Sequence, residues 1–107
     1  MSDVAKAEAF AAATAVNYHT NGVVSRTVIK NAAASVTFFA FDAGEELSEH
    51  SAPYDALVHV LDGEAEIIID GESSLLGAGD MIIMPADVPH AVKAPSRFKM
   101  CLTMIRE

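Results

Sequence analysis

The chain alternates between short hydrophobic runs and polar turn residues, a pattern that predicts strands over most of its length. Residues 23–29 and 35–41 are rich in the β-branched and aromatic side chains that favour strands. Further strands are predicted at residues 56–61, 64–69, 75–76, 81–84, 88–92 and 98–105. About nine short strands with turn signals at this spacing predict an all-β barrel or sandwich.

Turn residues separate these strands. The Asp70-Gly71 pair predicts a two-residue hairpin turn. The Asp62-Gly63 pair predicts a turn between the strands at 56–61 and 64–69. Residues 45–50 are polar and predict an exposed connection.

The N-terminal part of the chain has a different character. Residues 3–13 are rich in alanine and contain neither proline nor glycine, which predicts a short helix. Residues 17–22 are polar turn material. We therefore divide the chain into an N-terminal helix and turn, residues 1–22, and a barrel, residues 23–107.

Some of the predicted strands are hydrophobic on both faces. Residues 67–69 and 81–84 do not alternate, so something must cover the outer face of their sheet. A second subunit is the simplest cover and predicts a homodimer, while the N-terminal helix is the rival cover. The last strand does alternate, and its interior face is predicted to carry Phe98, Met100, Leu102 and Met104.

Composition narrows the classes of function. The 107 residues form one domain that can bury a core. Their formal charge of −8 and the lack of a basic stripe exclude nucleic acid and an anionic membrane surface as expected partners. The single cysteine, Cys101, cannot form an internal disulfide, so a cytoplasmic location is expected, with Cys101 a small buried side chain rather than a nucleophile.

Two groups of glycine, proline and histidine residues stand at a characteristic spacing. They are Gly44, His50 and Gly63 in the first group and Gly79, Pro85 and His90 in the second. This spacing resembles the two motifs of the cupin superfamily, and the resemblance covers about residues 23–105. It implies a small single-domain cupin with a double-stranded β-helix, or jelly-roll, barrel.

The resemblance also implies a metal site, which this chain carries only in part. Cupins of this pattern hold Fe, Mn, Ni or a similar ion with three histidines and a glutamate. Here Ala52 and Ala56 replace one histidine and the glutamate, which leaves His50 and His90. A divalent ion such as Mn, Fe, Ni or Zn is therefore expected to bind weakly and to keep several waters. Asp55 is a third ligand only if the backbone there is irregular.

The same alignment predicts a ligand site inside the barrel. Its expected lining residues are His50, Tyr54, Val58, Val60, His90 and Met100. Tyr54 supplies either a phenol that hydrogen-bonds the ligand or a packed loop side chain. His59 is out of register with Val58 and Val60, so we expect it on the outer face.

Three functions remain open at this point. The leading hypothesis is a cytoplasmic cupin that binds an unknown small molecule inside the barrel, with His50 and His90 either interior histidines bridged by water or ligand, or a weak metal site. The second is a metal-dependent enzyme of the dioxygenase or isomerase type that uses His50 and His90. The third is an interaction module whose barrel is filled by its own side chains.

Overall fold

The computed structural model describes residues 4–106, and their eight strands join in one curled sheet. The strands are β1 (Val23–Lys30), β2 (Ala34–Phe41), β3 (Glu46–His50), β4 (Asp55–Ile69), β5 (Glu72–Gly77), β6 (Met81–Met84), β7 (His90–Lys93) and β8 (Phe98–Ile105). All the strand pairs are antiparallel. The all-β jelly-roll barrel predicted from the sequence is confirmed.

The long strand β4 belongs to both layers of the barrel. Its first half pairs with β8 and β6, and with β1 and β2 these strands form the first layer. Its second half pairs with β5 and β7, and β3 completes the second layer. The predicted turn at Asp62-Gly63 is wrong, because β4 continues through it with a register shift between Val60 and Asp62. This irregularity lets one strand pass from one layer to the other.

Gly63 is required at that irregularity. Its φ is +73°, a backbone conformation that residues with a Cβ rarely adopt. A Cβ built on Gly63 would lie 1.8 Å from the Arg97 carbonyl oxygen. The chain that enters β8 therefore passes directly against the backbone of β4 at this residue.

The polar segment 45–50 is a strand rather than an exposed connection. Residues Glu46–His50 form β3, which pairs with β7. Leu47 packs against the main core although its neighbours are exposed. One apolar side chain in a polar run is a weak sequence signal, so the prediction missed this strand.

The predicted N-terminal helix is wrong. Asp3 lies outside the described residues, and the only helical turn between residues 4 and 22 is a 3-10 turn at Ala12–Thr14. Ala7 has a φ of 67°, which interrupts a right-handed helix. Alanine favours a helix, but this segment has no apolar stripe to pack, and short helices without packing are unstable.

Residues 4–18, which we call the N-terminal arm, lie on the outer face of the first layer. The Lys99 ammonium donates a hydrogen bond to the Ala13 carbonyl at 2.6 Å, and Arg26 donates to the Ala15 carbonyl at 2.8 Å. The Tyr18 hydroxyl donates to Asp62 at 2.5 Å. Burial and the nearby Asp62 carboxylate both raise the pKa of Tyr18. Side chains of the barrel thus fix the backbone of the arm.

The main core lies between the two layers. It combines residues of the first layer, such as Val58, Val60 and Met100, with residues of the second layer, such as Ile67 and Val92. The predicted interior face of the last strand is confirmed, because Phe98 and Met100 are buried and the next two members pack against the same core.

A second, smaller core lies outside the first layer, under the N-terminal arm. Ala15 and Val16 of the arm pack on Phe38 and Ala40 of β2, with Cys101 half-buried beside them. Burial raises the pKa of the Cys101 thiol, which disfavours the thiolate form. The arm therefore covers part of the outer face, although it is not a helix.

The described residues include no helix that is long and apolar enough to cross a bilayer.

A carboxylate fixes the chain where β2 ends. Asp42 accepts hydrogen bonds from the backbone N–H of Asn21 and Ala43, and it pairs with Arg97 at 3.2 Å. The two backbone hydrogen bonds, followed by Arg97, lower the pKa of Asp42 from its ordinary value of 3.8.

We expect the stabilising effect of Asp42 to disappear in acid. Its contribution is present above the unfolded pKa of about 4 and is lost as the pH falls through the lower folded pKa. Melting temperatures of the wild type and Asp42→Asn should therefore differ at pH 7, and the difference should shrink steadily below pH 4. A difference that is unchanged at about pH 2 would contradict a role for the charge.

Candidate functional site

The fold brings His50 and His90 together. They are direct cross-strand partners at the end of β3 and the start of β7. Their Nε2 atoms are 3.2 Å apart, and the rings meet edge to face with centroids 4.4 Å apart. His50 is exposed and His90 is buried, so the pair lies at the boundary between solvent and the barrel interior. We call this place the mouth of the barrel.

The backbone fixes the tautomer of both rings. The Nδ1 atom of His50 lies 2.8 Å from the Ser48 carbonyl oxygen, and that of His90 lies 3.3 Å from the Val88 carbonyl oxygen. A carbonyl oxygen can only accept, so each Nδ1 carries the proton. In the neutral rings each Nε2 atom then carries a lone pair, and the two Nε2 atoms face each other. Such an arrangement needs a proton, a metal ion or a ligand donor between them.

Burial affects whether a proton, a metal ion or a ligand donor is favoured between the two Nε2 atoms. Desolvation lowers the pKa of His90, and the neighbouring His50 lowers it further. The Val88 carbonyl opposes this with a smaller effect. The neutral form of His90 is therefore favoured, and neutral imidazole is the form that binds metals.

The two imidazoles fit a divalent metal ion. An ion about 2.0–2.1 Å from each nitrogen, the usual length for zinc and imidazole, would make an angle of about 100° with atoms 3.2 Å apart. That angle lies between the octahedral and tetrahedral values. A hydrogen bond from Nδ1 to a backbone carbonyl is also the usual outer support of a metal-bound histidine.

No third ligand joins the pair from the described residues 4–106, where no group of three His, Cys, Asp or Glu side chains is arranged to hold a metal. Asp55 is exposed, and its carboxylate accepts a hydrogen bond from the Ala86 N–H at 2.8 Å. Strand alternation turns Asp55 away from the face of Ala56.

Ala52 and Ala56 occupy the positions that the cupin pattern gives to ligands. Ala56 is 6% exposed and packs in the main core. The Ala52 carbonyl accepts a hydrogen bond from the Asp87 N–H at 2.7 Å, which ties the loop before β4 to the loop before β7. Asp87 has a φ of 65° where the cupin pattern has glycine. This hydrogen bond holds the two loops together although the side chains of Ala52 and Ala56 cannot bind a metal.

Three of the expected lining residues lie within the core. Val58 and Val60 are 0% exposed and Met100 is 1% exposed. The stacked rings of Phe41 and Phe98, with centroids 4.5 Å apart, belong to the same core. Side chains of the protein therefore fill the space around these three residues, and His50 is the exposed side of the site.

Tyr54 lies in the loop between β3 and β4 and is partly buried. Its ring lies under the Arg106 guanidinium, 5.5 Å from the ring centroid. Arg106 also donates a hydrogen bond to the Asn31 carbonyl at 3.0 Å. Arg106 could not be predicted from the sequence, because nothing in the local pattern shows that it meets a loop so distant along the chain.

His59 is half-buried and out of step with the buried Ala56, Val58 and Val60, as the register predicted. Its cross-strand partners are Met81 and Cys101. His59 is therefore on the outer face of the first layer and takes no part in the mouth.

Together the two antiparallel layers and the histidine pair at the mouth define a small jelly-roll barrel protein. The family model described as "Cupin domain" matches residues 37–106. This chain belongs to the cupin family, as the two motifs predicted.

Similar structures have the same architecture. A conserved protein of unknown function from Streptococcus pyogenes is 35% identical with a TM-score of 0.92, and the match covers 97% of this chain and 91% of that one. A cupin superfamily protein from Desulfitobacterium hafniense is 27% identical with a TM-score of 0.90, over 97% and 95% of the two chains.

A curated protein named polyketide synthase CurC, from Streptomyces cyaneus, is 40% identical over 48 residues. The match covers 44% of this chain, and it spans about a third, 31%, of the length of that protein.

Proposed function

We propose that this cupin binds a small molecule at the mouth of its barrel, through a divalent ion held by His50 and His90. The observation that carries the proposal is the pair of Nε2 atoms of His50 and His90, which face each other at 3.2 Å. Nδ1 hydrogen bonds to backbone carbonyls hold both rings in this orientation.

The bound molecule is small, because the core behind the mouth is filled. The core behind the mouth is closed by the buried side chains of Val58, Val60 and Met100. The bound molecule therefore occupies the exposed side of the site, near His50. An ion with two protein ligands keeps several positions for water, and these positions accept oxygen or nitrogen donors. We therefore expect a ligand that carries such a donor group and a small apolar part.

A metal-dependent enzyme of the dioxygenase or isomerase type is the second candidate. The observation in its favour is that only two imidazoles of the described residues converge at the mouth, so a bound ion would have positions for a substrate. In the described part of the chain, the Asp55 carboxylate is engaged by Ala86, and no other carboxylate joins the pair as a general base.

Metal titration of protein prepared without a histidine tag tests the proposal. We expect the wild type to bind one Mn, Ni or Zn ion per chain in isothermal titration calorimetry. His50→Ala and His90→Ala should each weaken binding at least about tenfold, since losses at supporting residues alone reach that size. His59→Ala is the matched control, because it removes a histidine on the outer face, and it should bind like the wild type.

Native mass spectrometry then examines the small molecule. A retained molecule should dissociate when a chelator removes the ion, and His90→Ala should not carry it. Equal metal affinity in the wild type and His90→Ala would overturn the metal site. Retention that ignores the chelator would overturn the role of the ion while leaving the mouth as a binding site.

A further inference from the structure

Arg106 continues the inner face of β8 beyond the end of that strand. Alternate residues of β8, from Phe98 to Met104, face the main core. Arg106 comes two residues after Met104, and its backbone N–H still donates to the Ala33 carbonyl at 2.6 Å, so the pairing of β8 with the chain before β2 extends to it. Strand alternation therefore places the Arg106 side chain on the inner face, at the end of the barrel.

Tyr54 has the same position relative to β4. It comes two residues before the buried Ala56, and it is partly buried whereas the intervening Asp55 is exposed. The Arg106 guanidinium lies 5.5 Å from the centroid of the Tyr54 ring, and the strands that the two residues extend, β8 and β4, are adjacent. We call Tyr54 and Arg106 the rim pair.

The rim pair lies at the same end of the barrel as the histidine pair. The loop that carries Tyr54 begins directly after His50, at the end of β3. A hydrogen bond from the Asp87 N–H to the Ala52 carbonyl joins this loop to the loop before β7, which begins at His90. The chain from His50 to Tyr54 spans at most about 14 Å, so one small molecule can contact both pairs.

The Arg106 guanidinium keeps hydrogen-bond donors for a ligand. One of its five N–H groups donates to the Asn31 carbonyl at 3.0 Å. Among residues 4–106 no Asp or Glu side chain pairs with it, although the chain carries 15 acidic residues. Arg97, in contrast, pairs with Asp42 at 3.2 Å. A guanidinium that faces the mouth without a carboxylate from this part of the chain is suited to an anionic ligand.

Neighbouring groups hold the guanidinium in one orientation. The Asn31 carbonyl accepts a hydrogen bond from it on one side, and the Tyr54 ring supports it on another. The Asn31 turn is itself fixed, because its side-chain oxygen accepts hydrogen bonds from the N–H groups of Ala33 and Ala34 at 2.8 and 2.9 Å. Arg106 therefore loses little conformational freedom when a ligand binds. Its planar guanidinium matches a carboxylate, which it can bind through two parallel hydrogen bonds.

Charge balance at the histidine pair points to the same class of ligand. The cupin pattern has a glutamate where this chain has Ala56, so a divalent ion held by two neutral imidazoles would keep its full charge. An anionic ligand compensates that charge. Ala56 pairs with Met104 on one side and with Met84 on the other, which makes the adjoining inner surface apolar.

We infer that the molecule bound at the mouth is a small carboxylic acid. Its carboxylate pairs with Arg106 beside the Tyr54 ring, its apolar body lies against Met104, and a second oxygen or nitrogen atom binds the ion at the histidine pair. The last of these contacts rests on the proposed function, whereas the contact with Arg106 requires no ion. The two contacts can therefore be measured separately.

Binding of benzoate and benzamide to the metal-free protein tests the contact with Arg106. The two molecules have nearly the same shape, but only benzoate is charged at neutral pH. A chelating resin removes metal ions beforehand, and shifts of the backbone amide NMR signals give each dissociation constant. We expect the wild type to bind benzoate at least about tenfold more tightly, since a hydrogen bond to a charged group contributes about that factor. The shifted signals should include residues 51–54 and 104–106.

Arg106→Gln should remove the preference for benzoate, because glutamine keeps a hydrogen-bonding side chain without the charge. Arg106→Lys should retain only part of it, since an ammonium group does not form the paired hydrogen bonds of a guanidinium with one carboxylate. Circular dichroism and melting verify that each variant folds. If Arg106→Gln does not fold, the weaker binding of benzoate by Arg106→Lys serves as the test.

Lys30→Gln is the matched control for the change in net charge. Lys30 is an exposed cation at the same end of the first layer, two strands away from β8. This variant loses one positive charge, as Arg106→Gln does, but it should keep the wild-type preference for benzoate.

Nickel tests the contact with the ion. Nicotinate has the shape of benzoate, with a ring nitrogen that can bind a metal ion. We expect Ni²⁺ to tighten the binding of nicotinate more than that of benzoate in the wild type. His90→Ala should abolish this gain and should still prefer benzoate to benzamide when no metal is present.

Equal binding of benzoate and benzamide by the metal-free wild type would overturn the inference. A preference for benzoate that Arg106→Gln retains, or that Lys30→Gln removes, would also overturn it. A nicotinate gain that is absent, or that His90→Ala retains, would instead overturn the role of the ion at the histidine pair. Failure of the carboxylate contact and failure of the proposed function thus give different results.

Discussion

Replacing Gly63 with alanine is expected to destabilise the fold by at least about 3 kcal/mol. The added Cβ would lie 1.8 Å from the Arg97 carbonyl oxygen and 2.9 Å from the Phe98 Cα. Both neighbours are backbone atoms at the start of β8, so they can move away only if the pairing of β4 with β8 is disturbed. Urea unfolding at 25 °C measures the change in the free energy of unfolding.

Gly71→Ala is the control for this prediction. Gly71 has a similar φ of +81°, but nothing lies within 4 Å of the Cβ that alanine would add. Its cost should be the left-handed backbone alone, about 1–2 kcal/mol. If the two variants lose equal stability, backbone conformation rather than the contact with Arg97 explains the need for Gly63.

The second large effect is much tighter metal binding in the double variant Ala52→His with Ala56→Glu. These two changes restore the cupin ligand set beside His50 and His90. An ion that binds only the folded state at a hundred times its dissociation constant adds about 2.7 kcal/mol. The melting temperature of a domain of this size should then rise by several degrees, while the parent moves much less.

Without metal the double variant should be less stable than the parent. Ala56 is 6% exposed, so a glutamate there brings a carboxylate and extra volume into a packed core. Adding His90→Ala to the double variant is the control and should remove most of the metal-dependent rise. A folded double variant whose melting temperature ignores Mn, Ni and Zn would show that the ligand alignment is wrong.

The barrel could be predicted from the sequence because its signals are local or lie at fixed spacings. Hydrophobic alternation located most strands, and the Asp70-Gly71 pair forms the predicted turn, with both residues at positive φ. The motif spacing placed His50 opposite His90. The predictions that were wrong concern segments whose structure depends on contacts between residues distant in sequence. The path of the N-terminal arm depends on contacts with Lys99, distant in sequence, which local helix propensity does not register.

Two features of the candidate site also could not be predicted from the sequence pattern. Alternation put Val58 and Val60 on the inner face, but only the packed structure shows that they are 0% exposed. The tautomers of His50 and His90 depend on carbonyl groups two residues earlier in the chain, at Ser48 and Val88. Those contacts arise from the backbone path at the ends of β3 and β7, and residue types alone do not specify them.

The position of β8 affects how the protein is made. β8 is the last strand along the chain, yet it lies between β2 and β4. During synthesis from the N-terminus, β2 and β4 leave the ribosome before the strand that joins them. Each then has an unpaired edge that can pair with a neighbouring chain. Slow translation through residues 70–97 would therefore lengthen the interval in which the nascent chain is prone to aggregate.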